Sequence, residues 1–282
     1  MLQRLLRPHS CPRAASIANG CPRIQSRGLH RVPQLTYESR FAQNGVPDLL
    51  SPEAFDLAWI QYQKHLVDKL NLLTQDTVDA DIDTLTLVKK YAKRREMAHV
   101  FNYASMAHNN HFFFNRLAPV EVPMSPQLMS DMSDSASSPE SLKQDFLAAA
   151  SAQFGPGFVW LVSQEEGGLL RILSTYNTGT PYPEAFARQQ SVDMNTEPPA
   201  PASKKGWGFN NTGASPVLAP GGRMVTPLLC VNTWEHVWLM NYGVGGKDEY
   251  LERWWSRVDW NAVEDAHKGC KGYDMSSRKR IF

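Results

Sequence analysis

The chain has 282 residues, 42% of them hydrophobic, with 29 basic and 28 acidic residues and a formal net charge of +1. That length and apolar share allow a sizeable buried core, and no stretch reaches the roughly 18 consecutive apolar residues that a membrane-spanning helix needs. The cysteines, at positions 11, 21, 230 and 270, form no CxxC pair and match neither a zinc spacing nor a disulfide framework, which fits a reducing compartment.

The first 35 residues carry Arg4, Arg7, Arg13, Arg23, Arg27 and Arg31, with Ser10, Ser16 and Ser26 between them and neither lysine nor acid. This composition is that of a mitochondrial presequence, removed near Arg27 to Arg31 and taking Cys11 and Cys21 with it. Removing those six arginines from the 29 basic residues leaves 23 against 28 acidic ones, a mature chain near −5. Coating nucleic acid needs a dense Lys/Arg surface, so any RNA contact is expected to be local.

A helix is expected from Ser51 to Asn71: Ser51 can cap it, Pro52 suits the first helical position, and Phe55, Ala58, Trp59, Tyr62, Leu66 and Leu70 form one apolar face. A second helix is expected from about Leu85 to Leu117, opening on the basic run Lys89, Lys90, Lys93, Arg94, Arg95 and closing on Phe112, Phe113, Phe114. Residues 119 to 139, rich in Pro, Ser and Met without a sustained period, read as a linker. Helix resumes over Ser141 to Phe154, and Gly155-Pro156-Gly157 turns the chain. Runs Phe158 to Val162 and Leu169 to Thr175, joined by Gln164-Glu165-Glu166-Gly167-Gly168, read as a hairpin. Residues 180 to 222 read as a surface insertion, Val225 to Val231 as a third strand, and Tyr250 to Val258 as a final amphipathic helix. The expected organisation is a targeting peptide (1–35), a helical hairpin (36–120), a linker (121–140) and an α+β C-terminal domain (141–282).

Three segments carry a resemblance. Phe154-Gly155-Pro156-Gly157-Phe158-Val159-Trp160-Leu161 is similar to the FGSGWxWL strand entry of iron/manganese superoxide dismutases. Ser174-Thr175-Tyr176-Asn177 resembles the STAN run of that family. Asn232-Thr233-Trp234-Glu235-His236-Val237-Trp238-Leu239, with Tyr242 following, resembles its DxWEHAYYLxY signature. Order and spacing agree over roughly residues 45 to 265. The resemblance implies that family's α+β fold, with an N-terminal helical hairpin, a three-stranded antiparallel sheet and flanking helices.

It also implies a test of chemistry. The family holds one iron or manganese with a histidine on each of the first two long helices and the Asp and His of DxWEH, where the carboxylate and its surroundings tune the redox potential. Matched without gaps, the first ligand position falls on Ala58, and the next inward positions of that helix fall on Tyr62 and Leu66. On the second helix His108, or Ala107 in an ungapped match, takes the ligand position. Asn232 replaces the aspartate, and His236 falls on a ligand position. Two neutral histidines do not make a stable site, since structural sites use four ligands and catalytic ones three. No catalytic residue, cofactor or metal is therefore expected, with His108 and His236 as remnants.

In the resembled enzymes the Glu of WEH reaches across the two-fold interface, so Trp234, Glu235, His236 and Trp238 are candidate interface residues; the competing role for Glu235 is a favourable carboxylate at a helix start. A mitochondrial, ligand-depleted chain of this kind is similar to small-subunit proteins of the mitochondrial ribosome. That resemblance implies a structural role in the matrix, a heterodimer with a related dismutase-like partner, a local rRNA contact through Lys89, Lys90, Lys93, Arg94 and Arg95, and no membrane association. The alternatives are a free matrix scaffold or assembly factor, or a weakly active dismutase.

Overall fold

A computed structural model describes residues 30–165, 168–185 and 224–278, with side chains described as far as Cys270. The expected insertion, apart from its first residues, and the C-terminal basic residues Lys279 and Arg280 lie outside the described residues.

The described residues begin against the first long helix. His30 donates its backbone N–H to Asn71 Oδ1, accepts from Asn71 Nδ2 on its carbonyl, and places its ring nitrogen 3.1 Å from Thr74 Oγ1. Residues 30–35, the end of the segment 1–35 read as the targeting peptide, pack against the fold here, and Leu35 is buried. Helix α1 (Glu38–Asn44) ends at Gly45, whose φ of 71° puts it in the left-handed region and whose missing side chain lets the Leu50 carbonyl approach.

The expected helix at Ser51 forms. Ser51 accepts the Ala54 N–H at the start of α2 (Pro52–Phe55), which runs through a π-helical segment, Asp56–Gln61, into α3 (Tyr62–Thr74). The Tyr62 N–H reaches back five residues to the Leu57 carbonyl, widening the helix where Ala58 and Trp59 face the core.

The second helix differs from expectation. It is broken into α4 (Thr84–Tyr91) and α5 (Ala98–Phe114), with Arg94 extended between them. No Gly or Pro marks the break; tertiary packing imposes it. Asp79, buried before α4, accepts from both Lys90 Nζ and Tyr91 Oη, and α4 folds back on α5 to close a second small core of Leu70, Leu87, Val88, Tyr91, Val100, Ala104 and Ala185. The stretch read as a linker holds α6 (Pro126–Ser135), capped by Ser125 and anchored through buried Leu128 and Met132. Ser138 caps α7 (Pro139–Ala152) in the same way.

The sheet is three-stranded and antiparallel, ordered β2-β1-β3: β1 (Gly157–Gln164) in the centre, β2 (Leu170–Tyr176) and β3 (Val225–Asn232) at its sides. Trp160 lies opposite Leu173 on one side and Cys230 on the other. Phe158 to Ser163 are all buried, as expected for a strand covered on both faces. Gly157 is required at the strand entry: a Cβ there would meet the Thr175 carbonyl and Gln153 Nε2, each at 2.1 Å.

After β3 come α8 (Glu235–Tyr242), α9 (Lys247–Ser256) and α10 (Trp260–Arg278). The expected final helix is therefore penultimate, and α10 packs on β3. The main core joins Phe41, Phe55, Trp59, Phe113 and Phe114 of the helical half to Phe158, Trp160 and Trp254 of the sheet half. Among the described residues no helix is long and apolar enough to cross a membrane.

Candidate functional site

The positions singled out by the resemblance meet where the α2–π–α3 helix, α5 and the end of β3 converge. Ala58 is fully buried in the π-helical segment. The α5 side chain that reaches it is neither His108 nor Ala107 but Asn110, whose Nδ2 donates to the Ala58 carbonyl at 3.3 Å and to Gln63 Oε1 at 3.0 Å. Gln63 Nε2 donates to the Ala107 carbonyl at 2.9 Å. From the strand side, Asn232 Nδ2 donates to Asn110 Oδ1 at 3.3 Å, Asn232 Oδ1 accepts the Trp234 N–H at 2.9 Å, and Tyr250 Oη donates to the Asn232 carbonyl at 2.9 Å. The three amides are all but fully buried.

His236, on the first turn of α8, stands at the edge of this cluster. Its ring lies 4.1 Å from that of Tyr62 and 5.8 Å from that of Trp234, and its buried Nε2 has no hydrogen-bond partner among the described residues. Burial pushes its pKa down to about 4.

His108 has other company. Its Nε2 is 2.8 Å from Tyr182 Oη, and burial, then the neighbouring His111, lower its pKa to about 4. Lys89 sits over the Tyr182 ring at 5.5 Å and pairs with Glu184 at 2.9 Å. The opening residues of the expected surface insertion are thus anchored: Ala185 is buried in the second core. Among the described residues His108 meets Tyr182, whereas His236 meets Tyr62 and Trp234. His108 and Asn110 are two residues apart, a turn of about 200° around α5, so the residue facing Tyr182 and the one facing Asn232 lie on nearly opposite sides of the helix. The His111 ring lies tilted 5.9 Å from that of Trp59, and burial lowers its pKa. Among the described residues, no group of three or more His, Cys, Asp or Glu side chains is placed to hold a metal ion.

The expected interface residues divide. Trp234 is half-buried, its indole donating to the Asn177 carbonyl at 3.3 Å; Glu235 is exposed at the first position of α8; His236 is half-buried. Trp238 is not on this surface. It is buried, donates to the Thr233 carbonyl at 3.2 Å and stacks on Tyr250, because it falls on the inward side of α8 with Val237. Phe154 (92% exposed), Tyr176 and Leu239 extend the exposed face instead. Phe154, just before β1, and Tyr176, the last residue of β2, flank the Asn177 N–H to Pro156 carbonyl bond, beside Trp234.

The basic run divides too. Lys89 is committed to Glu184 and Lys90 to Asp79, whose carboxyl is held below the usual range because the hydrogen bonds from Lys90 and Tyr91 outweigh its burial. Lys93, Arg94 and Arg95 are exposed at the break between α4 and α5, with Arg94 5.8 Å over the Tyr91 ring.

Sequence reasoning missed Gln63, Asn110 and Tyr182. Two adjacent amides, Asn109 and Asn110, in a helix otherwise rich in aromatics and alanines were the available signal, since polar groups on a buried face need partners.

The fold is α+β and iron/manganese superoxide dismutase-like, and the family model for the C-terminal domain of iron/manganese superoxide dismutases matches residues 124–192 and 210–266. Along nearly its whole length it is similar to small ribosomal subunit protein mS43 of Schizosaccharomyces pombe, at 26% identity over 267 residues, 91% of each chain. It is also similar to small ribosomal subunit protein mS42 of the same yeast, at 27% over 242 residues, 82% of this chain and 96% of the relative. The iron superoxide dismutase of Helicobacter pylori is 25% identical over 240 residues, 85% of this chain and 92% of that one.

Proposed function

We propose that this chain is a structural component of the small subunit of the mitochondrial ribosome, acting in the matrix, and that it is not an enzyme. The observation that carries this reading is the similarity, across nearly the full length of both chains, to two small-subunit ribosomal proteins. The acid-free, Arg/Ser-rich first 29 residues support mitochondrial import.

The site supports the non-enzymatic reading through its donors. An iron or manganese ion of this fold would have to be held from Ala58, Asn110, Asn232 and His236. A methyl group offers no lone pair, the two asparagines spend their polar atoms on one another and on the backbone, and one imidazole remains. This set does not fit a redox metal, which needs three or four ligands including an anion.

The exposed face of Trp234, Glu235 and His236, extended by Phe154, Tyr176 and Leu239, is assigned to a related dismutase-like partner. Aromatic residues around a charged group are the composition of an interface centre. Local rRNA contact is assigned to Lys93, Arg94 and Arg95, which are exposed together at the break between α4 and α5.

Sedimentation of mitochondrial lysate containing tagged protein tests this. The tagged chain should travel with the small subunit and co-purify with its proteins and rRNA. A chain that stays at the top of the gradient, or that purifies with stoichiometric iron or manganese and consumes superoxide, overturns the proposal.

A further inference from the structure

The donors at the ligand positions are not merely unsuited to a metal; they are joined in one directed chain. At its strand end stands the Trp234 backbone N–H, which can only donate, so the Asn232 side chain must present its oxygen there. Its Nδ2 then faces Asn110 Oδ1, which accepts, and this turns the Asn110 amino group toward Gln63 Oε1 and the Ala58 carbonyl. Gln63 Nε2 finally donates to the Ala107 carbonyl, an acceptor that can do nothing else. Both ends are backbone groups of fixed polarity, so every amide has one permitted orientation.

No nitrogen or oxygen of Gln63, Asn110 or Asn232 side chains is among the buried atoms lacking a partner, whereas Asn109 Oδ1 and His236 Nε2 are. A fully satisfied buried network is rigid and specific, and one missing donor exposes the cost of the whole. The chain ties three separate elements together: Gln63 and the Ala58 carbonyl come from the first long helix, Asn110 from α5, and Asn232 from β3, which Tyr250 of α9 secures from behind.

We infer that the Gln63–Asn110–Asn232 amide ladder is a metal-independent cross-link between the helical half and the sheet, and that position 232 needs asparagine because its side chain must donate. An aspartate there would keep the bond from Trp234 N–H but set a carboxylate oxygen against Asn110 Oδ1, acceptor against acceptor. The inference rests on the non-metal reading above, and the experiment separates the two.

Thermal unfolding of the purified mature chain, wild type, Asn232→Asp and Asn232→Leu, is followed near pH 7 and near pH 5, with and without added Mn2+. Asn232→Asp should fall on the order of 5 °C below wild type near pH 7. Burial raises the pKa of such an aspartate, so near pH 5 its protonated form can donate and the variant should recover relative to Asn232→Leu, which has no proton to regain. Gln63→Glu, at the other end of the ladder, should show the same recovery and serves if Asn232→Asp does not fold near pH 7.

An Asn232→Asp protein as stable as wild type near pH 7 overturns the ladder. So does a loss shared by Asp and Leu at both pH values, since packing alone would then explain it. Mn2+ that binds the wild type stoichiometrically and raises its melting temperature overturns the metal-free reading, and the cross-link with it.

Discussion

Acid should loosen this fold in a window set by its buried histidines. His108 and His236 are both held neutral, their pKa values lowered from 6.5 to about 4 chiefly by burial. A histidine with a depressed folded-state pKa contributes nothing adverse above its unfolded value, near 6.5. As pH falls below that, the unfolded chain takes up the proton more readily than the folded one, and stability drains away until the folded group also titrates near 4. At pH 5 the difference amounts to about 2 kcal/mol for each histidine. His30 and His111, also lowered by burial, titrate in the same direction. Urea unfolding of the mature chain at pH 7 and pH 5 reads this directly, with His108→Gln and His236→Gln each expected to remove about 2 kcal/mol of the acid loss. Variants that lose as much stability between the two pH values as the wild type would show that neither ring is held neutral by the fold.

Two further outcomes follow from the divided basic run and from the N-terminus. Reversing Arg94 and Arg95 to Glu should weaken rRNA binding and lower the salt slope by roughly one unit per residue, while Lys89→Ala should leave binding unchanged and lower the melting temperature by freeing Glu184 and Tyr182; filter binding across a salt series, with thermal unfolding alongside, checks both. Protein recovered from mitochondria should begin close to His30, as N-terminal sequencing will show, because His30 is bonded to Asn71 and Thr74 while the residues before it carry the presequence composition.

Elements with local signals are legible in the amino-acid sequence itself. Ser51-Pro52 starts a helix wherever it sits, and the strands around Gly-Pro-Gly and Gly-Gly need no distant information. The break between α4 and α5 is not legible there, because Ala92 to Met97 have good helix propensity and the break is imposed by buried Asp79, eleven residues before Lys90. Helix α6 escapes notice because only Leu128 and Met132 mark its buried side, although Ser125-Pro126 repeats the Ser51-Pro52 signal. The site is legible on the strand side, where Asn232 and His236 lie in a distinctive run, and easily misread on α5. There His108, Asn110 and His111 occupy three faces of one helix, and which of them meets Asn232 depends on a rotation that only packing decides.

The pairing face admits a sharp test through Glu235. In the single chain its carboxylate is exposed at the first position of α8, where it can interact favourably with the helix dipole, worth about 0.3 to 1 kcal/mol. Glu235→Lys should therefore cost the isolated protein no more than about twice that figure, and its melting temperature should barely move. If this face seats the proposed partner, the same carboxylate, flanked in the chain by Trp234 and His236, loses its water. Altering one side of a buried charged contact then costs on the order of 3 to 5 kcal/mol, a loss of roughly two to nearly four orders of magnitude in affinity. Stability and assembly should thus separate in this one variant: a folded Glu235→Lys chain that leaves the small-subunit fraction of a sedimentation gradient. Trp238→Phe supplies the contrast, because Trp238 is packed on Tyr250 inside the chain and should lower stability without changing what the folded protein pairs with. A Glu235→Lys protein that stays with the small subunit would reduce Glu235 to a helix start and remove it from the interface.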